Sequence, residues 1–396
     1  MDFRLPPDLA AWQQQVRSFV ERDLQPHDQD IERTGVVPPP LLRRIADMGL
    51  FGTNTPRAYG GLGMSMLGSC LAIEELAKAH AAFYYLCGVN VHIGSKAIEL
   101  DGSEAQRRRW LPALASGRTI AALALTEPDS GSDAASIATT ARRDGDAYVL
   151  NGRKIYITNA AEAGLFTVFA TLEPGAGARG ITAFLVEAGT PGLEVGRAID
   201  MAAGRGASHC EVILRDCRVP AENRIGAEGQ GFASAMRCLD AGRVHWGAYC
   251  VGAAQRLLEL AARRASERRQ FGRALREHQG IEWTIADMAA SLHAARLVAY
   301  EAAWRYDHEP DGRSLGGALS KLIGADMVFR IADQTLQIFG GAGYSKDYPV
   351  ERIWREVRVV RILDGTSEMM RRIVARQVFR GVNSAAQAPT RSVSWP

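Results

Sequence analysis

The sequence predicts an α+β protein of three parts: an all-α N-terminal domain, a small β-barrel or β-sandwich middle domain, and a C-terminal helical bundle. Apolar residues recur at helical spacing up to about residue 119 and again after about 227. Between those limits the pattern changes to strand-length apolar runs separated by glycine-rich turns. No strand–helix alternation runs through the chain, which argues against a doubly wound parallel sheet.

In the first part (1–119), "LLRRIADMGLFG" places Leu41, Leu42, Ile45, Met48 and Leu50 along one helical stripe that a glycine ends. "SCLAIEELAKAHAAFYYLCG" and "SEAQRRRWLPALASG" read the same way. In the middle part (120–226), "DGDAYVLNGRKIYITNA" carries apolar and β-branched residues on both sides of Asn151-Gly152, a strong hairpin signal. "LFTVFATL", "GITAFLVEA" and "HCEVILRDCRV" follow as strands. In the third part (227–385), "IEWTIADMAASLHAARLVAYEAAWRYD" puts Ile281, Ile285, Met288 and Leu292 on one face, and "KLIGADMVFRIADQTLQIF" repeats the period, as bundle helices do. Residues 386–396 have the composition of a frayed, flexible tail.

The chain has 396 residues, 47% of them apolar, which is ample for a packed core. Its 47 basic and 44 acidic residues are interleaved, so no field attracts nucleic acid or an anionic membrane. The six cysteines show no metal or disulfide spacing, which points to a reducing compartment, the cytoplasm. The first residues lack a secretory or transit pattern, and no run is long and apolar enough for a membrane span.

Four segments carry polar chemistry. "LTEPDSGSDAAS" offers hydroxyls and backbone N–H groups suited to a ligand rich in carbonyl and phosphate oxygens, or equally a helix cap at Ser132 or Asp133. "GRKIYITNA" sets Tyr156 and Thr158 on one strand face, fit for a flat heterocycle or for cross-strand packing. "ERRQFGRALREHQG" has Arg268 and Arg269 where a helix gives way to a loop, able to grip a pyrophosphate or to lie solvated. "LQIFGGAGYSKDYPVER" breaks a helix with glycines that admit close backbone approach. No G-x-S-x-G elbow is present. A fifth segment, "RILDGTSEMMRR", contains Asp364-Gly365, which alone reads as a turn with glycine at the positive φ.

In this order, "TEPDSGSD", "KIYITNA", "LDAGRV", "ERRQFGRALREHQG", "QIFGGAGYSKDYPVER" and "LDGTSEMMRRIVARQV" resemble the acyl-CoA dehydrogenase family of flavoproteins over nearly the whole chain. The resemblance implies non-covalent FAD between the β domain and the C-terminal helices, closed by a neighbouring subunit of a homodimer or homotetramer. It assigns Leu123, Leu125, Thr126 and Ser132 to the flavin-binding strand and loop, with Tyr156 and Thr158 covering the ring system. Arg268, Gln270, Phe271, Gln337 and Gly341 match contacts to the partner subunit's FAD, and Thr366 and Glu368 match further cofactor contacts. Ser132, Asp240, Arg243 and Gly365 fall where the family holds the thioester substrate. Asp364 matches the base that takes the α-proton while a hydride leaves the β-carbon for flavin N5. The thioester oxygen is then polarised by the backbone N–H at 364 and a flavin ribityl hydroxyl.

One departure matters. Most of the family has glutamate at 364, and some relatives carry it instead just before the arginine that matches Arg243, where this chain has Gly242. Aspartate is shorter by roughly 1.5 Å, and about 1 Å of misplacement costs on the order of a hundredfold in rate. The reading preferred on sequence is an acyl-CoA dehydrogenase acting on a branched, cyclic or short acyl group, with Asp364 as base. The alternatives are an acyl-carrier-protein substrate docked on "QRRRW" or "RRIVAR", oxidation of a carbon acid such as a nitroalkane, and a non-catalytic flavoprotein scaffold. Electron-transferring flavoprotein or another acceptor would take the electrons. Leu363, Val244, His245 and Trp246 flank the carboxylate and the arginine in sequence, and Trp246 is expected either to shorten the cavity or to be core.

Overall fold

The computed structural model describes residues 4–387, so the tail expected over 386–396 lies outside them from 388 on. The N-terminal helices include Pro7–Phe19, Pro39–Asp47, Met66–Leu76 and Glu104–Ala115. The last begins in a capping box, where the Ser103 hydroxyl accepts the Gln106 N–H and the Gln106 side chain accepts the Ser103 N–H. Between Ala81 and Asp101 the chain stays helical but widens into two π-turns, Tyr84–Gly88 and Asn90–Gly94.

The middle region is one eight-stranded sheet of β1 (Ile120–Ala124), β2 (Thr140–Asp144), β3 (Ala147–Thr158), β4 (Ala163–Thr171), β5 (Ile181–Glu187), β6 (Leu193–Ala198), β7 (His209–Pro220) and β8 (Arg224–Ile225). Its order is β6-β7-β3-β2-β4-β5-β8, with β1 pairing parallel to β4. β4 and β5 read as continuous apolar runs because both faces are covered. Phe166, Val168, Phe184 and Val186 join the core within the sheet, while Leu165, Phe169, Ala183 and Leu185 pack with the helical residues Trp110, Leu111 and Leu239.

The hairpin expected at Asn151-Gly152 is not there. The chain turns earlier, at Gly145, and β3 runs straight through both residues. Gly152 is required for close approach instead, since a Cβ would sit 2.3 Å from Thr139 Oγ1. Asn151 uses its amide to bond Asp216 of β7, donating to the carboxylate and accepting the backbone N–H.

The C-terminal region is a bundle of Gly231–Glu267, Gln279–His308 and Arg313–Phe339, followed by Pro349–Arg358 and Ser367–Gln387. Met288 and Leu292 of the expected stripe are fully buried, and Ile281 and Ile285 pack at its margin. The first of these helices, 231–267, is the central post. A Cβ at Gly247 would meet Ser320 Oγ at 1.8 Å and one at Gly252 would meet the Glu74 carbonyl at 1.9 Å, so both neighbouring helices touch its backbone. Buried charges fasten the N-terminal helices to the bundle: Arg352 bonds Asp28 (2.9 Å) and Glu356 (2.8 Å), and Glu356 accepts the Ala81 N–H.

A second joint is apolar in character but built from imidazoles. His92 and His245 stack with centroids 3.2 Å apart and planes 11° from parallel, and neither is exposed. His92 shares a hydrogen bond with Ser69 (2.9 Å), whereas neither nitrogen of His245 has a partner among the described residues. Burial, with His245 and Lys96 adding to it, pushes His92 well below the usual imidazole value, and burial and Lys96 do the same to His245. The native pair is therefore neutral, whereas the unfolded chain takes up protons as pH falls through about 6.5. Stability from this joint is complete above that pH and lost below it, with a slope of up to about 1.4 kcal/mol per pH unit per histidine. Urea denaturation at pH 7, 6 and 5 should show this loss, and His245→Phe should remove about one histidine's share of the slope.

Candidate active site

Asp364 stands in the turn between Val359–Arg361 and the helix Ser367–Gln387. Glycine alone was expected to take a positive φ here; in fact Asp364 has φ +50° and Gly365 +97°. A left-handed aspartate costs free energy and persists only where its surroundings impose it. Lys321, 1% exposed on the helix 313–339, does so by donating to the carbonyls of Leu363 (2.5 Å) and Gly365. Burial brings the Lys321 ammonium down to about 8, against the opposing pull of Asp364. From the post helix, Arg243 Nε donates to the Asp364 carbonyl at 3.2 Å, and its Nη1 pairs with Asp240 at 2.9 Å.

The side chain of Asp364 is held from the same helix. Trp246 Nε1 donates to Oδ2 at 2.7 Å. One turn earlier, a Cβ built on Gly242 would lie 3.6 Å from that oxygen, so positions 242 and 364 open onto the same space. Trp246 proves to be buried, the second of the two roles weighed for it, and also bonds the carboxylate, which neither role anticipated. Its ring packs edge-on against Tyr84 (4.8 Å) and Tyr249 (5.2 Å) and tilts against Tyr85 (6.1 Å), forming an aromatic wall behind the carboxylate. His245 faces His92 instead, away from that wall's hydrogen bond.

The segment that follows β1 is anchored from below. Lys154, buried in β3, donates to the Leu125 carbonyl (3.0 Å) and to Glu127 (2.7 Å), and Glu127 also accepts the N–H groups of Ala138 and Thr139. Burial lowers the Lys154 ammonium to about 8 while Glu127 opposes the fall. Leu123 is half-buried, Leu125 buried, Thr126 half-buried and Ser132 exposed. Neither Ser132 nor Asp133 caps a helix; the loop closes on itself through Ser130 to the Asp133 carbonyl. In β3 a bulge between Lys154 and Ile157 puts Tyr156 at φ +58° and turns its ring outward, 54% exposed, with Thr158 half-buried on the same side.

Other expected residues are placed differently. Arg268 ends the post helix and leads into the hairpin Arg269–Gln270/Arg273–Ala274, whose tip, Phe271, is 95% exposed. Gln337 and Gly341 are exposed at the far end of the helix 313–339. No hydrogen bond joins any of these to Asp364 within the described residues. Thr366 accepts the Met369 N–H (3.3 Å) at the start of the last helix, and the exposed Glu368 carboxyl is held below its usual value by its own backbone N–H and Thr366. The sequence reading missed Lys321 and Lys154; Lys321 is the one charged residue in "LGGALSKLIGA", a pattern that flags a buried partner, whereas Lys154 beside Arg153 carries no such signal.

Comparison with known proteins matches this arrangement along the chain. Family profiles described as the acyl-CoA dehydrogenase N-terminal, middle and C-terminal domains match residues 6–118, 122–217 and 229–379. A short-chain-specific acyl-CoA dehydrogenase of Clostridium acetobutylicum is 35% identical, the match covering 96% of this chain and 100% of that protein. Butyryl-CoA dehydrogenase from Megasphaera elsdenii superposes with a TM-score of 0.93 at 35% identity, covering 96% of this chain and 100% of that one. The prolyl acyl carrier protein oxidase AnaB superposes with a TM-score of 0.91 at 29% identity, covering 95% and 100%.

The clamp on the 363–365 turn is directly testable. Lys321→Met removes the donor to two half-buried carbonyls, and each lost hydrogen bond of this kind costs about 0.5–1.5 kcal/mol. Chemical denaturation should register a loss of at least about 1 kcal/mol, and an unchanged midpoint would mean that the turn holds without the lysine.

Proposed function

The chain belongs to the acyl-CoA dehydrogenase family of FAD-dependent oxidoreductases, and we propose that it desaturates a compact acyl thioester with Asp364 as the base. The observation that carries this reading is the Asp364 carboxylate, fixed by Trp246 in the space it shares with position 242. Bound FAD supplies the acceptor for the β-hydride. Asp364 takes the α-proton as the β C–H bond gives up its electron pair and the α,β double bond forms. The Asp364 N–H, which has no acceptor among the described residues, is available to the thioester oxygen as enolate charge develops. Arg243 and Asp240, paired beneath the turn, line the way in for the thioester arm.

The residues present fit a flavin. The outward-facing aromatic ring of Tyr156 stands on a strand that carries Thr158 and bonds the Thr126 carbonyl through the Ile155 N–H, and this suits a flat heterocycle with polar margins. Thr366 and Glu368 would hold it from the other side. Arg268, Gln270, Gln337 and Gly341 would serve the FAD of a partner subunit, and an exposed Phe271 beside them favours pairing into a dimer or tetramer. Non-covalent binding, an electron-transferring flavoprotein as acceptor and a cytoplasmic setting belong to the same reading; the six free cysteines fit a reducing compartment.

The aromatic wall favours a short, branched or cyclic acyl group. Tyr84, Tyr85, Trp246 and Tyr249 fill the space behind the carboxylate, so an acyl group must sit close to Asp364. That proximity offsets the shorter reach of aspartate. A second reading, an acyl group bearing a polar atom and delivered on a carrier protein, rests on the buried Tyr84 hydroxyl, which lacks a partner among the described residues.

Anaerobic titration of the flavin-loaded protein with straight, branched and cyclic acyl-CoA thioesters, alongside nitroalkanes, separates these readings through flavin bleaching. Bleaching by compact thioesters is expected, slowed by about 10²–10⁴ in Asp364→Asn. A flavin-loaded protein that no free thioester bleaches would remove the acyl-CoA reading.

A further inference from the structure

Resting on that reading, we propose that Trp246 is a positioning residue for the base: its indole N–H holds one oxygen of Asp364 and leaves the other aimed at the acyl α-carbon.

The bond runs from Nε1 to Oδ2 at 2.7 Å, and among the described residues Trp246 is the side-chain donor to this carboxylate. The donor is rigidly placed. Trp246 is 2% exposed, and Tyr84 and Tyr249 meet its ring at 74° and 73°, which fixes its plane. The acceptor, by contrast, stands on a left-handed turn, where the backbone alone leaves its side-chain torsions free. A hydrogen bond from a locked ring removes that freedom.

The chemistry of the donor matters too. Indole N–H is neutral and donates only, so it orients the carboxylate through the direction of one hydrogen bond and not through a full charge of its own. Arg243 and Lys321, the nearby cations, are turned to backbone carbonyls of the same turn. Gly242 adjoins the arrangement: a Cβ there would crowd Ile93 at 3.0 Å and reach ordinary contact, 3.6 Å, with the oxygen that Trp246 holds. A short base must be held where it works, since about 1 Å of displacement costs on the order of a hundredfold.

Trp246→Phe keeps an aromatic wall and removes the N–H. With butyryl-CoA and isobutyryl-CoA as probes, flavin reduction should slow by about 10–100-fold while the thioester dissociation constant stays within about twofold. A merely structural ring would leave that split unmoved. Crystal structures of flavin-loaded wild type and variant without substrate give an independent readout: the Asp364 carboxylate should leave its position or adopt several. An unmoved carboxylate, or an unchanged reduction rate in a wild type that does reduce, overturns the proposal and leaves the dehydrogenase reading intact. If wild type reduces with no thioester, that reading fails, and the two crystal structures still decide whether the indole holds the carboxylate.

Discussion

The site depends on a left-handed turn at Asp364 that the bundle must hold in place. Three groups do so from two helices: Lys321 grips the carbonyls on either side, Arg243 bonds the carbonyl of Asp364 itself, and Trp246 bonds its carboxylate. Two of the three come from the post helix, whose glycines let its neighbours approach to backbone contact. Close packing of helices, a buried lysine and a strained aspartate are thus one construction. Loosening any part frees the carboxylate.

The same construction accounts for an aspartate where a longer carboxylate is the family's usual choice. Positions 242 and 364 adjoin from different elements, a Cβ at 242 lying 3.6 Å from the Asp364 carboxylate. Here 242 is a glycine, with Ile93 packed where its Cβ would stand and the Asp364 carboxylate just beyond. On the proposed reading, the aromatic wall would narrow the room for an acyl group and so keep its α-carbon within the reach of the shorter side chain. Base, wall and small residue suit one another, and changing one would require changing the others.

Much of this was visible in sequence, for identifiable reasons. Long helices declare themselves by period, as Met288 and Leu292 do on their helix, and doubly buried strands by unbroken apolar runs, as "LFTVFATL" does in β4. Asn151-Gly152 misled because a tight backbone approach to Thr139 demands glycine just as a turn does. Asp364-Gly365 read as a turn and is one, but the aspartate's own positive φ depends on Lys321, more than forty residues away in the chain. The order of polar motifs pointed to the family, which the three family profiles match. Which side chains support it could not be read from sequence, because those contacts join distant segments: Trp246 to 364, Lys154 to 127, His92 to 245.

The account's central claim is that Asp364 removes the α-proton of a compact acyl thioester. Incubating the flavin-loaded protein anaerobically with isobutyryl-CoA or butyryl-CoA in D2O, and following α-deuterium incorporation by mass spectrometry, tests proton removal apart from electron transfer. The account predicts incorporation with wild type and none above background with Asp364→Asn. Equal incorporation by both would contradict it and place the base elsewhere.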